Sequence, residues 1–246
     1  MKMVLVVVNV LSMVFALAAA AQEKFETDTI KTSAGDLKIT FLGHGSLYFT
    51  FGGKVIHVDP YSAVGDYSKL PKADIILVAH EHQDHLDLKA LNLVRTDKSI
   101  VVLPQICAKQ VEGGVVLENG NTTVLGGVRI DAVAAYNIVN KRPDNGQPFH
   151  PKGVGNGYIL TFGDKRVYVA GDTENIPEMK AIKNIEIAFL PMNLPYTMTP
   201  EMVADAAKTI KPKILYPYHF GETDTSKLVA LMKDVKETEV RIRKMK

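Results

Sequence analysis

The sequence predicts an α/β protein built as a layered sandwich, and three observations favour that class. Short runs rich in β-branched residues recur along the chain and are separated by turn residues, which indicates many strands. Helical patterns are fewer and fall mostly between the later strands. Neither an internal repeat nor a low-complexity linker interrupts residues 22–246, so we predict one folded unit there.

The predicted strands dominate the first two thirds of the chain. They span residues 37–41, 46–51, 55–58, 75–79, 100–103, 115–117, 123–125, 128–133, 157–162, 166–170, 185–190, 214–216 and 240–242. Helices are predicted at 86–94, 200–210 and 226–235, with a short helical turn at 177–182. The helix at 200–210 is the best marked, because Thr199 is a good N-cap, Pro200 fits the first helical position and Pro212 prevents continuation.

Composition and charge exclude several classes of protein. The 246 residues are 46% hydrophobic and 23% charged, which is typical of a globular chain and not of a disordered one. A formal net charge of +2 gives no electrostatic reason to expect nucleic acid as a partner. The single cysteine, Cys107, cannot form an internal disulfide or a CxxC site, so metal chemistry must use histidines and carboxylates. The net charge by itself favours neither class of partner; a small-molecule substrate is our expectation, and the oligomeric state stays open.

The first 21 residues have the pattern of a Sec signal peptide. Lys2 is the only charged residue before Glu23, residues 4–18 are almost wholly apolar, and alanines at 19–21 supply the small residues that signal peptidase needs. We predict cleavage before Gln22, a periplasmic or secreted domain over residues 22–246, and no membrane attachment afterwards. An uncleaved anchor is the alternative, because residues 4–21 are just long enough to span a membrane.

Three of the seven histidines lie within six residues, immediately after a predicted strand. Residues 80–85 read HEHQDH. Alternate residues of an extended segment point the same way, so His80 and His82 can reach one cation. Asp84 and His85 follow a turn and face a second position, which suits two metal ions that share a hydroxide. Imidazole and carboxylate ligands fit zinc, and also iron or manganese.

More ligand-type side chains lie at comparable places. Asp172 follows the strand at 166–170, His219 follows the strand that begins at 214, and His150 is in a long polar loop. Functional groups collect at the carboxyl ends of strands in open α/β sheets. We therefore predict a metal site with the ligands His80, His82, Asp84, His85, His150, Asp172 and His219.

The order of these motifs resembles that of the metallo-β-lactamase superfamily over roughly residues 37–219. The motifs that carry the resemblance are GHGS at 43–46, Asp59-Pro60, HEHQDH at 80–85, the loop His150, GDT at 171–173, and His219. The resemblance implies a four-layer αβ/βα sandwich with a dinuclear site along one edge. It further implies that one metal is held by His80, His82 and His150, that the other is held by Asp84, His85 and His219, and that Asp172 bridges both.

Within that superfamily the chain resembles most closely the lactonases and phosphodiesterase-like hydrolases, whose fourth motif is Asp, whereas β-lactam-cleaving members typically place Cys or Ser there. Two divalent ions, most simply zinc, lower the pKa of a shared water, so a metal-bound hydroxide can attack a carbonyl or phosphoryl centre. Asp84 is the candidate catalytic residue, because it can orient that hydroxide and accept its proton. We expect hydrolysis of a lactone or phosphodiester. The alternatives are a β-lactam hydrolase, and a metal-binding or redox protein of the same fold without hydrolase activity.

Weaker candidates surround this set. His44, flanked by glycines, either contacts substrate or is structural. His57 lies in an alternating strand and fits a core position, and Asp59 is expected to support the metal ligands by hydrogen bonds. Asn193 and Tyr196 follow another strand and either orient substrate or form a turn.

Two further patterns point to structure instead of chemistry. Gly153, Gly155 and Gly157 precede a strand, whereas a dinucleotide-binding fingerprint follows one, so we discount them as phosphate binders. At the end of the chain, Val240 and Ile242 alternate with two arginines, which predicts an edge strand with one solvated face.

Overall fold

The computed structural model describes residues 25–246, which form two seven-stranded mixed sheets. The first sheet contains β1 (Glu26–Thr32), β2 (Gly35–Gly43), β3 (Ser46–Phe51), β4 (Lys54–Val58), β5 (Ile75–Leu77), β6 (Ile100–Leu103) and β7 (Val115–Val116). The second contains β8 (Thr122–Leu125), β9 (Val128–Ala135), β10 (Gly155–Phe162), β11 (Lys165–Val169), β12 (Ile187–Pro191), β13 (Ile214–Tyr218) and β14 (Glu239–Val240). The helices are α1 (Leu88–Val94), α2 (Pro200–Ile210) and α3 (Thr225–Met232).

Each sheet keeps its strands in chain order and follows the same pattern. Strands β1 to β4 pair as antiparallel hairpins, and β4 to β7 pair in parallel. In the second sheet β8 to β11 are antiparallel and β11 to β14 are parallel. Parallel neighbours end at the same edge of a sheet. The carboxyl ends of β4 and β5 therefore lie together, as do those of β11, β12 and β13.

The main core lies between the two sheets. Phe49 of β3 packs on Phe162 of β10 with ring centroids 5.3 Å apart, and Phe41 of β2 packs on Tyr216 of β13 at 5.0 Å. Strand β5 is buried on both faces: Ile75 and Leu77 join this core, and the alternate residues Ile76 and Val78 pack with α1. Helix α2 contacts β12 and α3. This α/β arrangement confirms the predicted sandwich.

Most predicted elements are found, with shifted ends. Helix α2 has the predicted bounds, and the hydroxyl oxygen of Thr199 accepts a hydrogen bond from the Met202 amide at 3.2 Å. Helix α1 begins at Leu88 and not at residue 86, because the Asp87 carboxylate caps it by accepting from the Lys89 and Ala90 amides. The predicted strand at 75–79 ends at Leu77, where the chain starts to turn into the histidine segment.

Strand β1 was not predicted. Its sequence, ETDTIKT, contains one apolar residue, Ile30, so it lacks the alternation that identifies a half-buried strand. It forms because it pairs along its whole length with β2, from Glu26 opposite Phe41 to Thr32 opposite Gly35. Local sequence could not show that pairing.

The prediction of a solvated edge at 240–242 was wrong about the arginines. Arg243 donates to both carboxylate oxygens of Asp28 at 2.8 and 2.7 Å, and Arg241 lies 3.6 Å from the same group. The Tyr216 hydroxyl also donates to Asp28. Burial raises the pKa of Asp28, but the bonds from Arg243 and Tyr216 outweigh it and hold that pKa below its ordinary value. The arginines therefore join the end of the chain to β1 of the other sheet.

The predicted signal peptide, residues 1–21, lies outside the described residues. In the part of the chain that the structure covers, none of the helices combines the length and the apolar character needed to cross a membrane.

Candidate metal centre

The candidate site forms where strands of both sheets end. His44 follows β2, Asp59 follows β4, the 80–85 segment follows β5, Asp172 follows β11, and His219 follows β13. Three of these residues have a left-handed backbone, with φ of 54° at His44, 44° at Asp59 and 47° at His219. Non-glycine residues adopt that conformation rarely, and it is concentrated at functional sites. These turns direct the side chains toward the space between the strand ends.

Three histidines form the first group of metal-type donors. His80 Nε2 lies 3.0 Å from His82 Nδ1. The His150 ring lies 4.8 Å from the ring of His80 and 5.0 Å from that of His82, measured between centroids. Each residue offers one nitrogen, and these nitrogens lie within 4.8 Å of one another. A single cation can therefore be reached by all three.

Asp84 is the centre of the second group. Its Oδ2 lies 3.2 Å from His219 Nε2, 2.9 Å from His44 Nε2 and 3.7 Å from His85 Nε2. His44, His219 and Asp84 offer donor atoms within 4.8 Å of one another. The His44 ring also packs on the His219 ring, with centroids 3.7 Å apart. The structure thus places His44 at the site, which the sequence left open.

Asp172 lies between the two groups. Its Oδ2 is 3.3 Å from His150 Nε2 and 3.7 Å from His219 Nε2, while its Oδ1 is 3.4 Å from His85 Nε2. The preceding Gly171 has φ of 65°, and a Cβ there would lie 2.6 Å from the Asn156 carbonyl oxygen. A glycine is therefore required for Asp172 to enter the site. All seven predicted residues are brought together.

Two of the histidines are oriented by hydrogen bonds from behind. Asp59 Oδ2 accepts from His85 Nδ1 at 2.8 Å, and its Oδ1 accepts from the Ala79 amide at 2.7 Å. Asn137 Oδ1 accepts from His150 Nδ1 at 2.7 Å. Each bond places the ring hydrogen on Nδ1 and leaves the Nε2 lone pair facing the site, the arrangement found behind metal-binding histidines. Asp59 has the predicted supporting position.

Unpaired buried atoms converge on this centre. His85 Nε2, His150 Nε2 and Asp172 Oδ1 are buried and have no hydrogen-bond partner within residues 25–246. Buried polar atoms are normally paired, so such a concentration needs an explanation. A cation would satisfy all three, and a set of imidazole nitrogens and carboxylate oxygens suits zinc, iron or manganese. The residues present therefore fit a metal centre.

The charge states also suit cations. Burial lowers the pKa of His80 well below its ordinary value and lowers that of His150 to about 4, so both rings are neutral. Burial acts against ionisation of Asp172, but His219, His85 and His150 together hold its pKa low. Burial likewise opposes a charge on His85, yet Asp172 and Asp59 raise its pKa well above the ordinary value. A proton on His85 must leave before that ring can bind a metal.

A cleft of about 450 Å³ opens beside the donor groups. His44, Asn193 and Tyr196 line it, so all three side chains with undecided roles lie at the site. Asn193 Nδ2 is 3.3 Å from His219 Nδ1. Tyr61 and Phe149 form further aromatic walls. The cleft is large enough for a small-molecule substrate.

His57 and the glycines have structural positions. The His57 ring is buried, donates from Nε2 to the Pro71 carbonyl at 3.0 Å and stacks on Tyr48, as the prediction of a core position requires. Gly155 and Gly157 belong to β10, and a Cβ on Gly157 would lie 2.7 Å from the Ala170 carbonyl oxygen. That glycine permits close strand packing.

Sequence reasoning missed three residues that shape the site. Asn137 orients His150, as described above. Glu174, which is 1% exposed, accepts from the amides of residues 138–140 at 2.8, 2.8 and 2.6 Å and so fixes the loop that carries His150. Arg142 lines the cleft. None of the three lies in a recognisable motif, and each acquires its role from residues distant in the chain.

Comparison with known proteins identifies a family model, a relative and a solved structure that match most of the chain. Residues 38–219 match the family model described as a β-lactamase superfamily domain. A UPF0173 metal-dependent hydrolase of Koribacter versatilis is 31% identical over 199 residues, covering 75% of this chain and 84% of that protein. A crystal structure of a metal-dependent hydrolase from Parabacteroides distasonis is 48% identical, with a TM-score of 0.86 over 91% of this chain and 100% of that one.

A more distant structure shares the fold alone. CmlA, a diiron β-hydroxylase from Streptomyces venezuelae, is 18% identical, with a TM-score of 0.66 over 87% of this chain and 53% of that one. Fold, site and comparisons together define a metal-dependent hydrolase of the metallo-β-lactamase fold. The chain belongs to the β-lactamase superfamily.

Proposed function

We propose that this chain is an exported hydrolase that uses two divalent metal ions to cleave a lactone or a phosphodiester. The observation that carries the proposal is the position of Asp172. One of its oxygens lies 3.3 Å from His150 and the other lies 3.4 Å from His85, so a single carboxylate contacts both groups of donors. A carboxylate in that position can hold two cations as a pair.

The family resemblance divides the ligands into two sets, and the first set is the same as the first donor group. In the second donor group His44 stands with Asp84 and His219, whereas His85 groups with His80 and Asp172. His80, His82 and His150 would hold the first ion, and Asp84, His85 and His219 would hold the second, with Asp172 shared. His44 would remain outside this set, because the family resemblance assigns it no metal, and its Nε2 bonds to Asp84 Oδ2 at 2.9 Å. It would then act by keeping Asp84 in place.

When bound, two divalent ions would polarise the scissile group and lower the pKa of a shared water, which supplies a nucleophile at neutral pH. Asp84 would orient that nucleophile and take up its proton. Burial raises the pKa of this carboxylate, but hydrogen bonds with His219 and His44 hold it well below the ordinary value, so Asp84 is ionised and carries no proton of its own. Asp84 is the proposed catalytic residue.

The bridging position also bears on the substrate. If Asp172 held both ions, its carboxylate would add negative charge and leave less room for substrate than a site without it. An ester-like or phosphoryl oxygen would suit such a site. A bicyclic lactam, whose departing nitrogen needs an open second ion, would fit poorly. We therefore propose lactones or phosphodiesters as substrates, and β-lactams as poor ones.

Metal analysis and a substrate panel test the proposal together. Protein purified without chelator should carry close to two transition-metal ions and should hydrolyse a lactone or bis(4-nitrophenyl) phosphate, with negligible turnover of penicillins and carbapenems. His82→Ala should lose the first ion and reduce activity by at least about 100-fold, because two imidazoles cannot hold the ion in a productive geometry. Lys89→Ala, which removes an exposed side chain of α1 that does not line the cleft, should retain metal and activity.

Three results would count against this function. Full activity with one ion per chain would exclude the dinuclear assignment. Efficient cleavage of β-lactams without any ester or phosphodiester turnover would favour the β-lactam alternative. Two bound irons with oxygen consumption and no hydrolysis would favour a redox role, for which the CmlA fold offers a parallel.

A further inference from the structure

Arg142 lies at the base of a small hairpin beside the cleft. Lys141 pairs with Pro148 in an isolated β-bridge, the Arg142 amide donates to the Gln147 carbonyl at 2.7 Å, and the Gly146 amide donates to the Arg142 carbonyl at 2.9 Å. These bonds fix the backbone from which the guanidinium projects. The position of Arg142 is therefore set by the loop and not only by its own contacts.

The guanidinium group lies against the cleft wall. Its carbon is 5.5 Å from the centroid of the Phe149 ring, and Nη2 donates to the Phe149 carbonyl oxygen at 3.3 Å. Stacking on an aromatic ring restricts an arginine to one plane. The orientation of the Arg142 guanidinium is therefore restricted, and the residue lines the same cleft as His82 and Asp84.

No carboxylate of residues 25–246 forms an ion pair with Arg142, and it is the only lysine or arginine among the described residues that line the cleft. By contrast, Arg129, Arg166, Arg241 and Arg243 each lie within 4 Å of an acidic side chain. A half-buried guanidinium carries five donors and seeks acceptors. Within residues 25–246 the side chain of Arg142 has hydrogen bonds only from Nη2, to Phe149 and His82, and the residue lines the cleft.

The one hydrogen-bond contact between Arg142 and another side chain among the described residues conflicts with metal binding through His82 Nδ1. Its Nη2 lies 3.3 Å from His82 Nε2. Arginine can only donate, so this contact is a hydrogen bond only when His82 Nε2 carries no hydrogen. If His82 binds an ion through Nδ1, the atom that faces His80, its hydrogen must be on Nε2. Two donors then face each other, and Arg142 loses this acceptor in the metal-loaded protein.

We propose that Arg142 binds an oxyanion of the substrate, a carboxylate or phosphate group separate from the bond that is cleaved. This inference rests on the proposed hydrolase function and narrows its substrates to anionic ones. A planar guanidinium can pair with two oxygens of such a group at once. The described cleft lining contains no other arginine or lysine. Arg142 is then a specificity-determining residue.

Calorimetric titration of the metal-loaded protein tests the proposal without hydrolysis. The probes are phenylphosphonate and benzoate, which separate phosphate-like from carboxylate-like recognition. Arg142→Gln should weaken binding of at least one probe by about tenfold or more, since a charge-assisted pair is lost, and Arg142→Lys should retain part of it. The matched control is Lys141→Gln, which removes the same charge from an exposed neighbour and should change affinity by less than about twofold.

Equal affinity of wild type and Arg142→Gln for both probes would overturn the proposal, because the anion would then bind elsewhere. Failure of wild type to bind either probe would overturn it as well. A kinetic experiment separates this inference from the proposed function. Arg142→Gln should lower kcat/KM for the mono-4-nitrophenyl ester of succinate about tenfold more than for 4-nitrophenyl acetate. If wild type cleaves neither ester, the result counts against the proposed ester-like substrates, whereas the calorimetric result still decides the role of Arg142.

Discussion

His57 and His85 show how the surroundings of a buried histidine decide its role. Both rings are completely buried. His57 donates to a backbone carbonyl and has no charged neighbour in contact, so burial lowers its pKa to about 4. His85 is buried too, but Asp172 and Asp59 on either side raise its pKa. The first is a neutral core residue, and the second belongs to a set of charges that a cation can complete.

The low pKa of His57 predicts a loss of stability in acid. The ordinary pKa is 6.5 and the pKa in the folded protein is about 4. Between these pH values His57 is protonated in the unfolded chain but neutral in the folded protein, so protonation favours unfolding. Stability from this residue is present above pH 6.5 and falls as the pH drops toward 4. Lowering the pH from 7 to 5 should cost about 2 kcal/mol through His57 alone.

Urea unfolding of wild type and His57→Gln at both pH values would measure this effect. The variant should be less sensitive to pH by about that amount, because glutamine does not titrate in this range. The histidines of the metal centre are common to both proteins and cancel in the difference. If the free energy of unfolding depended on pH identically in both proteins, His57 would not be the source of this loss of stability.

At the scale of elements, strand ends provide the site and a strand pairing closes the fold. Asp172, His219 and the 80–85 segment follow strands that are wholly buried at the tip, so the rigid sheets fix where each side chain begins. Strand β1 contributes differently. Its Asp28 accepts bonds from Arg243 and Tyr216, which lie near the opposite end of the chain. This carboxylate joins the first strand of one sheet to the last segments of the other.

Replacement of Asp28 by alanine should therefore destabilise the fold by about 2 kcal/mol or more, because it leaves two arginines and a buried hydroxyl without their shared acceptor. Asp36→Ala is the matched control. It removes an exposed carboxylate from the same hairpin, whose partner Lys31 is 84% exposed, and should change stability by less than about 0.5 kcal/mol. Chemical denaturation would measure both.

Metal content should stay unchanged in the folded Asp28→Ala protein, since Asp28 is not among the residues that line the cleft. Equal effects of the two substitutions on the free energy of unfolding would show that the half-buried ion pair of Asp28 contributes no more than the exposed pair of Asp36.

At the scale of the whole molecule, two sheets with the same order of antiparallel and parallel strands pack together. The site lies where the carboxyl ends of strands from both sheets come together. One sheet supplies the HEHQDH segment, and the other supplies Asp172 and His219. His150 comes from the long loop between β9 and β10. Neither half has a complete set of the candidate ligands, so both sheets must be folded together before the candidate metal centre is complete.

The proposed export is also a property of the whole chain. Protein isolated from its host should begin at Gln22 and lie in an extracytoplasmic fraction, which intact-mass measurement and fractionation would establish. Ala21→Phe should block cleavage, because signal peptidase needs a small residue before the cut, and should leave a chain heavier by the 21 leader residues. Recovery of the wild-type chain from the cytoplasm with Met1 or residue 2 at its start would contradict export.

The sequence by itself determined the fold class, most strands and helices, and the seven candidate ligands. It did so because these features are local: strands alternate, helix caps precede their helices, and HEHQDH places its ligands within six residues. The remaining ligands could be found since each follows a strand or lies in a polar loop. The prediction that these ligands lie at one edge of the sheets did not require knowledge of their contacts.

Only the tertiary structure decided which distant residues meet. Asp28 and Arg243 are 215 positions apart, and His44 and Asp84 are 40 apart. Neither the role of Asn137 behind His150 nor the open guanidinium of Arg142 has a local pattern. Such contacts depend on how two sheets pack and where loops return. Sequence periodicity specifies which face of an element is buried, but not which partner the packing brings to it.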